Sequence, residues 1–242
     1  MKGSLFLLPN LLAEGLPWDD FFPKKVAEIV ASLQGLIVES EKGGWRFLRH
    51  FFSQEKIASF PIRLLNEHTR EELLEELIAP LLKGERWGLI SDAGLPCIAD
   101  PGAQLVFAAR KRGVFIEAFP GPSSIVHALM LSGFSGQSFC FHGYLPIEKE
   151  SFRAKLLSFE KNMSTTHLWM ETPYRVQSRL QEMVGFLQEK TLLCLSCDLA
   201  LASQEVIVAT IREWKKRDLS SFHKRLAIFL MGQVPKSLET KK

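Results

Sequence analysis

The segment Ser91–Gly102, "SDAGLPCIADPG", puts two Gly, two Pro and two Asp into twelve positions directly after the apolar run "WGLIS". An aspartate placed there can accept from a hydroxyl or an amine or hold a cation, and Gly94 and Gly102 let a ligand approach the backbone. A second such stretch, "PGPSS" at Pro120–Ser124, follows the next apolar run and offers two hydroxyls at a helix start. Either loop alone reads as helix capping, with Asp100 just before a helix that begins at Pro101. Two of them on successive strands are harder to dismiss, because ligands of open α/β sheets bind at the carboxyl ends of strands. Neither carries the Gly-Lys-Ser/Thr of a phosphate-binding loop or the GxGxxG of a dinucleotide site, so the ligand is something other than a pyrophosphate.

Cys194 and Cys197 spell CxxC, which elsewhere serves zinc or redox chemistry. Here the pair falls inside a strand pattern, where a spacing of three turns the thiols to opposite faces, and there is no second pair. No metal is therefore expected. "GFSGQS" is not a nucleophile elbow, since Ser135 has Gly at −2 and +1 rather than −2 and +2. His142 shares a strand face with Cys140 and reads as a hydrogen-bonded core histidine.

The loops must be carried by regular elements. Strand-like runs appear at Ser4–Leu8, Gly35–Glu39, Trp87–Ser91 and Val114–Phe119, with helical patterns between them at Lys24–Leu33, Trp45–Phe52 and in "EHTREELLEELIAPLLKG". Alternation of this kind predicts a parallel α/β sheet. A helix with Leu105, Val106 and Ala109 on its apolar face ends at Gly113, and another ends at Gly133. Beyond it, "SFCFHGYL", "TTHLWME", Thr191–Leu199, Gln204–Thr210 and Arg225–Met231 read as strands. "FRAKLLSFEKN" reads as a helix, as does "YRVQSRLQEMVGFLQEK", with Val176, Leu180, Met183 and Leu187 in register. Some of these strands are sequential and some helix-connected, which predicts a second, mixed sheet. Two α/β lobes, 1–120 and 121–242, follow.

Composition narrows the class only a little. A chain of 242 residues with 46% hydrophobic and 24% charged content can bury a sizeable core, and a formal charge of +3 neither demands nor excludes a nucleic-acid partner. Four cysteines without a spaced framework favour a reducing, cytoplasmic setting. "MKGSLFLLPN" is too short in its apolar run for a signal peptide, no stretch approaches a membrane span, and the "KSLETKK" tail reads as frayed.

At "SDAGLPCIADPGAQLV", "PGPSSIVHALMLSGF", "FHGYLP" and "ETPYR", in that order and covering roughly Trp87 to Arg179, the chain resembles the tetrapyrrole (corrin/porphyrin) methylase superfamily. Within it the chain is most similar to the 16S rRNA ribose 2′-O-methyltransferase branch. The resemblance implies a two-lobed α/β enzyme, an N-terminal parallel-sheet lobe and a C-terminal mixed-sheet lobe, usually a homodimer, with S-adenosylmethionine in the cleft between lobes. Carried over residue by residue, it assigns the cofactor to Asp92 and Leu95, to Ser123, Ser124 and Ile125, to Met170 and, as a weaker match, to Cys197. Two segments depart from the branch. "LPNLLAEGLP" stands in place of a "TPIGNLED"-like turn, and "VESEKGG" in place of "AEDTR", so that Glu39 keeps its charge while Ser40 replaces the next acid. The basic run expected after "GYLP" is only "IEKESFRAK", whereas "NEHT" partly matches a "HEHN"-like element.

Methyl transfer from a sulfonium is an in-line displacement in which the protein mainly holds acceptor and methyl in near-attack geometry. The sulfonium loses its charge as it reacts, so neutral oxygens are expected beside it. A ribose hydroxyl profits from a base, and Glu39, Glu67, His68 and Glu171 are the candidates at strand ends and loops. Each also has a plainer reading: Glu171 as the ion-pair partner of Arg175, Glu39 as a surface contact and His68 as a solvated helix-start residue. The expected reaction is thus SAM-dependent methylation of small-subunit rRNA, with a small tetrapyrrole-like acceptor, or SAM binding without catalysis, as alternatives.

Overall fold

The computed structural model describes residues 2–234 apart from 67, 68 and 70; Glu67 and His68, two of the base candidates, lie outside the described residues, as does the end of the chain. The chain divides into two compact units, one ending at Ser123 and the next starting at Ser124.

In the first unit β1 (Ser4–Leu7), β2 (Gly35–Val38), β3 (Ile62–Leu64), β4 (Arg86–Ile90) and β5 (Phe115–Ala118) form one sheet in the order β3-β2-β4-β1-β5. Every pairing is parallel. Helices α1 (Lys24–Ala31), α2 (Glu41–Leu48), α3 (Gln54–Ala58), α4 (Glu71–Leu82) and α5 (Gly102–Lys111) make the connections. A parallel sheet is covered on both faces, so its central strands are apolar on both sides. Leu5, Ile37, Trp87 and Leu89 face one core with Leu105 and Ala109 of α5, while Phe6, Leu36, Val38 and Ile90 face the other with Val26, Val30 and Phe47.

The second unit holds α6 (Ser124–Ser132), β6 (Phe139–Tyr144), α7 (Lys149–Lys161), β7 (Thr166–Glu171), α8 (Val176–Phe186), β8 (Leu192–Cys197), β9 (Glu205–Thr210), α9 (Ile211–Trp214) and β10 (Ala227–Met231). Its sheet runs β6-β7-β10-β8-β9, with β6 and β7 parallel and the rest antiparallel. Period-two alternation again splits the core. Trp169, Phe229 and Leu195 lie on one face with α8, and Leu168, Ile228 and Leu230 on the other with Ile125 and Ala128 of α6. Cys194 and Cys197 fall into these two different clusters, the opposite-faces arrangement that their spacing predicts.

The α/β expectation, one parallel and one mixed sheet, holds; several details differ. The strand β3 and helix α3 have no counterpart among the elements expected from sequence, because both are short and only partly buried. The helix expected over Trp45–Phe52 begins earlier, at Glu41, and stops at Leu48. The Ser40 hydroxyl caps it by accepting from Gly43 N at 3.0 Å. Pro101 precedes α5 instead of opening it, although the Asp100 carboxylate still accepts from Gly102 N, at 2.7 Å.

Candidate active site

In the first unit the loops leaving β1, β4 and β5 meet at the carboxyl ends of three adjacent strands. Asn10 and Gly94 form an antiparallel bridge, with Asn10 N donating to Gly94 O at 2.7 Å and Gly94 N to Asn10 O at 3.2 Å. The Asn10 amide also donates to Ser91 O and Asp92 O, at 2.9 and 3.2 Å. Gly94 has φ +74°, a backbone conformation that favours glycine, and packs against Leu12 and Pro122 O of the neighbouring loops. Leu95 lies against Gly121 of the "PGPSS" loop.

Asp92 is fixed from three directions. Its N–H donates to Glu39 Oε2 at 3.0 Å, its Oδ1 accepts from Ser40 Oγ at 2.8 Å, and its carbonyl accepts from the Arg46 guanidinium at 2.9 Å. Ser40 therefore both caps α2 and orients the carboxylate. A Cβ on Gly43 would stand 2.0 Å from Asp92 Oδ1, which explains why a residue that weakens helices occupies α2. Glu39, a base candidate on sequence grounds, here accepts from the backbone of the loop that follows β4.

Downstream the same loop is strained. Cys97 and Ala99 hold φ of +69° and +65°, a region that costs residues with a Cβ roughly 1–3 kcal/mol each and clusters at functional sites. Asp100 offsets this by accepting from Cys97 N at 2.9 Å; burial pushes its carboxyl above the usual range against the pull of the Gly102 and Cys97 N–H groups. Burial also drives the Cys97 thiol to about 12, so it is inert.

The second unit gathers Ile125, Met170 and Leu199 in one apolar cluster, with Ser124 at the start of α6. Cys197 is different, for its thiol is turned into the core and pushed up to about 12 by burial. The loop after it, at Asp198 and Ala200, again carries left-handed residues, with φ of +50° and +70°. Arg225 clamps this loop through Asp198 Oδ2 at 2.8 Å and Ser203 O at 2.6 Å, and pairs with Glu205. Sequence reasoning missed this clamp, and its only signal was a charged residue at each of two strand ends, Asp198 and Arg225.

Glu171 closes β7 with its side chain 2% exposed. Oε1 accepts from Arg175 Nε at 2.8 Å and Thr172 N at 2.7 Å, while Oε2 faces Arg179 Nε at 3.6 Å. Arg179 continues to Glu182 at 2.8 Å and to the carbonyls of Pro146 and Ile147, and lies over the Phe152 ring. Of the two roles open to Glu171 on sequence grounds, base or ion-pair partner, this geometry is the second. His142 is half-buried, its Nε2 2.9 Å from His167 Nδ1 and its ring stacked on Phe159. Burial, then the His167 and Lys155 charges, push it down to about 4.

Among the described residues no helix is long and apolar enough to cross a membrane, and no three His, Cys, Asp or Glu converge as metal ligands. A parallel α/β unit with glycine-closed strand-end loops, followed by a mixed-sheet unit, defines the class: the chain belongs to the tetrapyrrole (corrin/porphyrin) methylase family, whose model matches residues 25–215. Ribosomal RNA small subunit methyltransferase I of Vibrio cholerae is 34% identical over 164 residues, covering 68% of this chain and 55% of its own. The protein of the same name from Halalkalibacterium halodurans is 33% identical over 214 residues, 88% of this chain and 70% of its own. The chain thus spans from just over half to under three quarters of these relatives' length. The crystal structure of uroporphyrin-III-C-methyltransferase from Thermus thermophilus superposes with a TM-score of 0.54 at 16% identity, covering 97% of this chain and 94% of that one, a likeness of fold.

Proposed function

We propose that the chain is an S-adenosylmethionine-dependent methyltransferase that modifies a ribose 2′-hydroxyl of small-subunit rRNA. The observation that carries the acceptor is the 33% identity over 88% of this chain to a ribosomal RNA small subunit methyltransferase. When bound, S-adenosylmethionine supplies an electrophilic methyl on a sulfonium. In this reading Asp92, Leu95 and Ser123 are its contacts on the first unit, and the resemblance assigns Ser124, Ile125 and Met170 of the second the same role. Cys197, its thiol in the core, contributes by fixing where the Asp198 loop starts.

The loop at Gly94 suits a ligand of this kind, since its backbone, held at φ +74°, carries no side chain. Its carbonyls at Ser91, Asp92 and Gly94 are already satisfied by Asn10 and Arg46, so the loop needs little reorganisation when the acceptor arrives. A neutral donor, the Ser40 hydroxyl, fixes the Asp92 carboxylate, in keeping with a reaction that dissipates positive charge. Of the four base candidates, Glu39 binds the Asp92 N–H and Glu171 is held by Arg175 and Arg179. Both act as positioning residues in this reading.

The enzyme works in the cytoplasm, in line with four free cysteines, and as a homodimer, in line with the exposed Phe139 and Tyr144 on the edge strand β6. Incubation with methyl-tritiated S-adenosylmethionine and small ribosomal subunits lacking ribose methylation should place label in a 2′-O-methylated nucleoside after digestion. Label appearing on a tetrapyrrole acceptor but on no RNA overturns the acceptor.

A further inference from the structure

We propose that the groove beside α2 binds one unstacked nucleotide of a single-stranded or looped RNA, with phosphates on Lys42 and Arg49 and the base against Trp45. The proposal rests on the RNA reading above and locates the acceptor strand on the first unit.

Helix α2 has two unlike faces. Gly43, Gly44, Phe47 and Leu48 are buried, while Lys42, Trp45, Arg46 and Arg49 recur at i, i+3, i+4 and i+7 and form a single outward stripe. The stripe lines a groove of about 390 Å³, closed opposite by Asn10–Gly15 and at one end by His50. That volume lies within the ~300–1,000 Å³ of small-ligand sites and suits one splayed nucleotide rather than a helix.

Charge and aromaticity point to the same occupant. Glu14, the groove's one carboxylate, pairs with Arg46 at 2.7 Å and also feels the Lys42 charge. Among the described residues neither Lys42 nor Arg49 makes an ion pair, so three cations on this face meet a single anion. Trp45 is 45% exposed, whereas Trp87, Trp169 and Trp214 are buried and Trp18 is stacked between Phe22 and His50. An acidic peptide would use the cations and leave the indole idle; a nucleotide uses both, the base stacking on the ring and the phosphates meeting Lys42 and Arg49. The other end of the Arg46 guanidinium holds the Asp92 carbonyl at 2.9 Å, so a strand in the groove lies beside the loop assigned to the methyl donor.

The test is equilibrium binding of protein-free small-subunit rRNA across a salt series, with S-adenosylmethionine affinity followed by calorimetry. Replacing both cations, Lys42→Ala with Arg49→Ala, should make the log–log salt slope shallower by roughly 1.4, about 0.7 for each single-strand phosphate no longer neutralised. Trp45→Ala should weaken binding about ten-fold at constant slope, and Trp45→Phe should recover most of it. S-adenosylmethionine affinity and melting temperature should match the parent in all variants. If the parent methylates rRNA and the variants bind it with the parent's affinity and slope, the groove assignment falls and the RNA reading stands. If the variants lose binding to intact subunits but not to protein-free rRNA, the occupant is a protein and the proposal fails. A parent that neither binds nor methylates RNA overturns the underlying reading, and this inference with it.

Discussion

The two units end their central strands on carboxylates, yet hold them by opposite means. In the first, the Asp92 carboxylate is held by a serine hydroxyl. In the second, Glu171 is buried against Arg175 and Arg179. An ion pair taken out of water is fixed and costly to break, whereas a carboxylate held by neutral dipoles keeps its charge available to its surroundings. The second arrangement is a structural lock; the first suits a loop that must meet a ligand.

The largest expected effect is on the lock. Arg179→Met leaves Glu171 and Glu182 underpaired in a buried site and should cost about 3–5 kcal/mol in chemical denaturation. A loss below 1 kcal/mol would put the two units on the same footing. Gly43→Ala forces a Cβ toward Asp92 Oδ1 and should cost about 1–3 kcal/mol. It should also weaken S-adenosylmethionine binding roughly ten-fold, the equivalent of ~1.4 kcal/mol; unchanged affinity would remove Asp92 from the donor site. Ser40→Ala takes away a helix cap and the Asp92 partner together, and melting should report about 0.5–2 kcal/mol. Stability returning to the parent value in Ser40→Asn, without recovery of cofactor affinity, would separate the two tasks of that hydroxyl.

Acidification gives the smallest effect. His142, held down to about 4, and His167, also lowered by burial, bind protons less readily in the fold than in the unfolded chain. Stability should therefore be complete above about pH 6.5, where an unfolded histidine is neutral, and decline as pH falls toward about 4. His50 of the first unit is lowered by burial and Arg46, and contributes in the same direction. His142→Asn should flatten part of the decline in a series of melting curves; an unaltered profile would assign it to His50 and His167.

How much of this was legible depended on whether the signal was local. The parallel strands, the "SDAGLP" and "PGPSS" turns and the apolar stripe of α8 announce themselves through period and turn chemistry within a few residues. The strand Ile62–Leu64 does not, being three residues long and half-exposed at a sheet edge. Gly43-Gly44 reads as a helix breaker until the neighbouring carboxylate is known, which is why α2 starts earlier than its pattern predicts. Contacts such as Arg46 to Asp92, Asn10 to Gly94 and Arg225 to Asp198 join residues 27 or more positions apart, and nothing in either partner's neighbourhood marks them.

The paired glycines of α2 have a mechanical corollary. Gly43 brings the helix backbone onto the Asp92 carboxylate and Gly44 brings it onto Val38, with no side chain between to act as a cushion. Helix and loop are thereby coupled like parts on one rivet. The same short helix that carries Lys42, Trp45 and Arg46 on one side thus rests its backbone on Asp92 at the other.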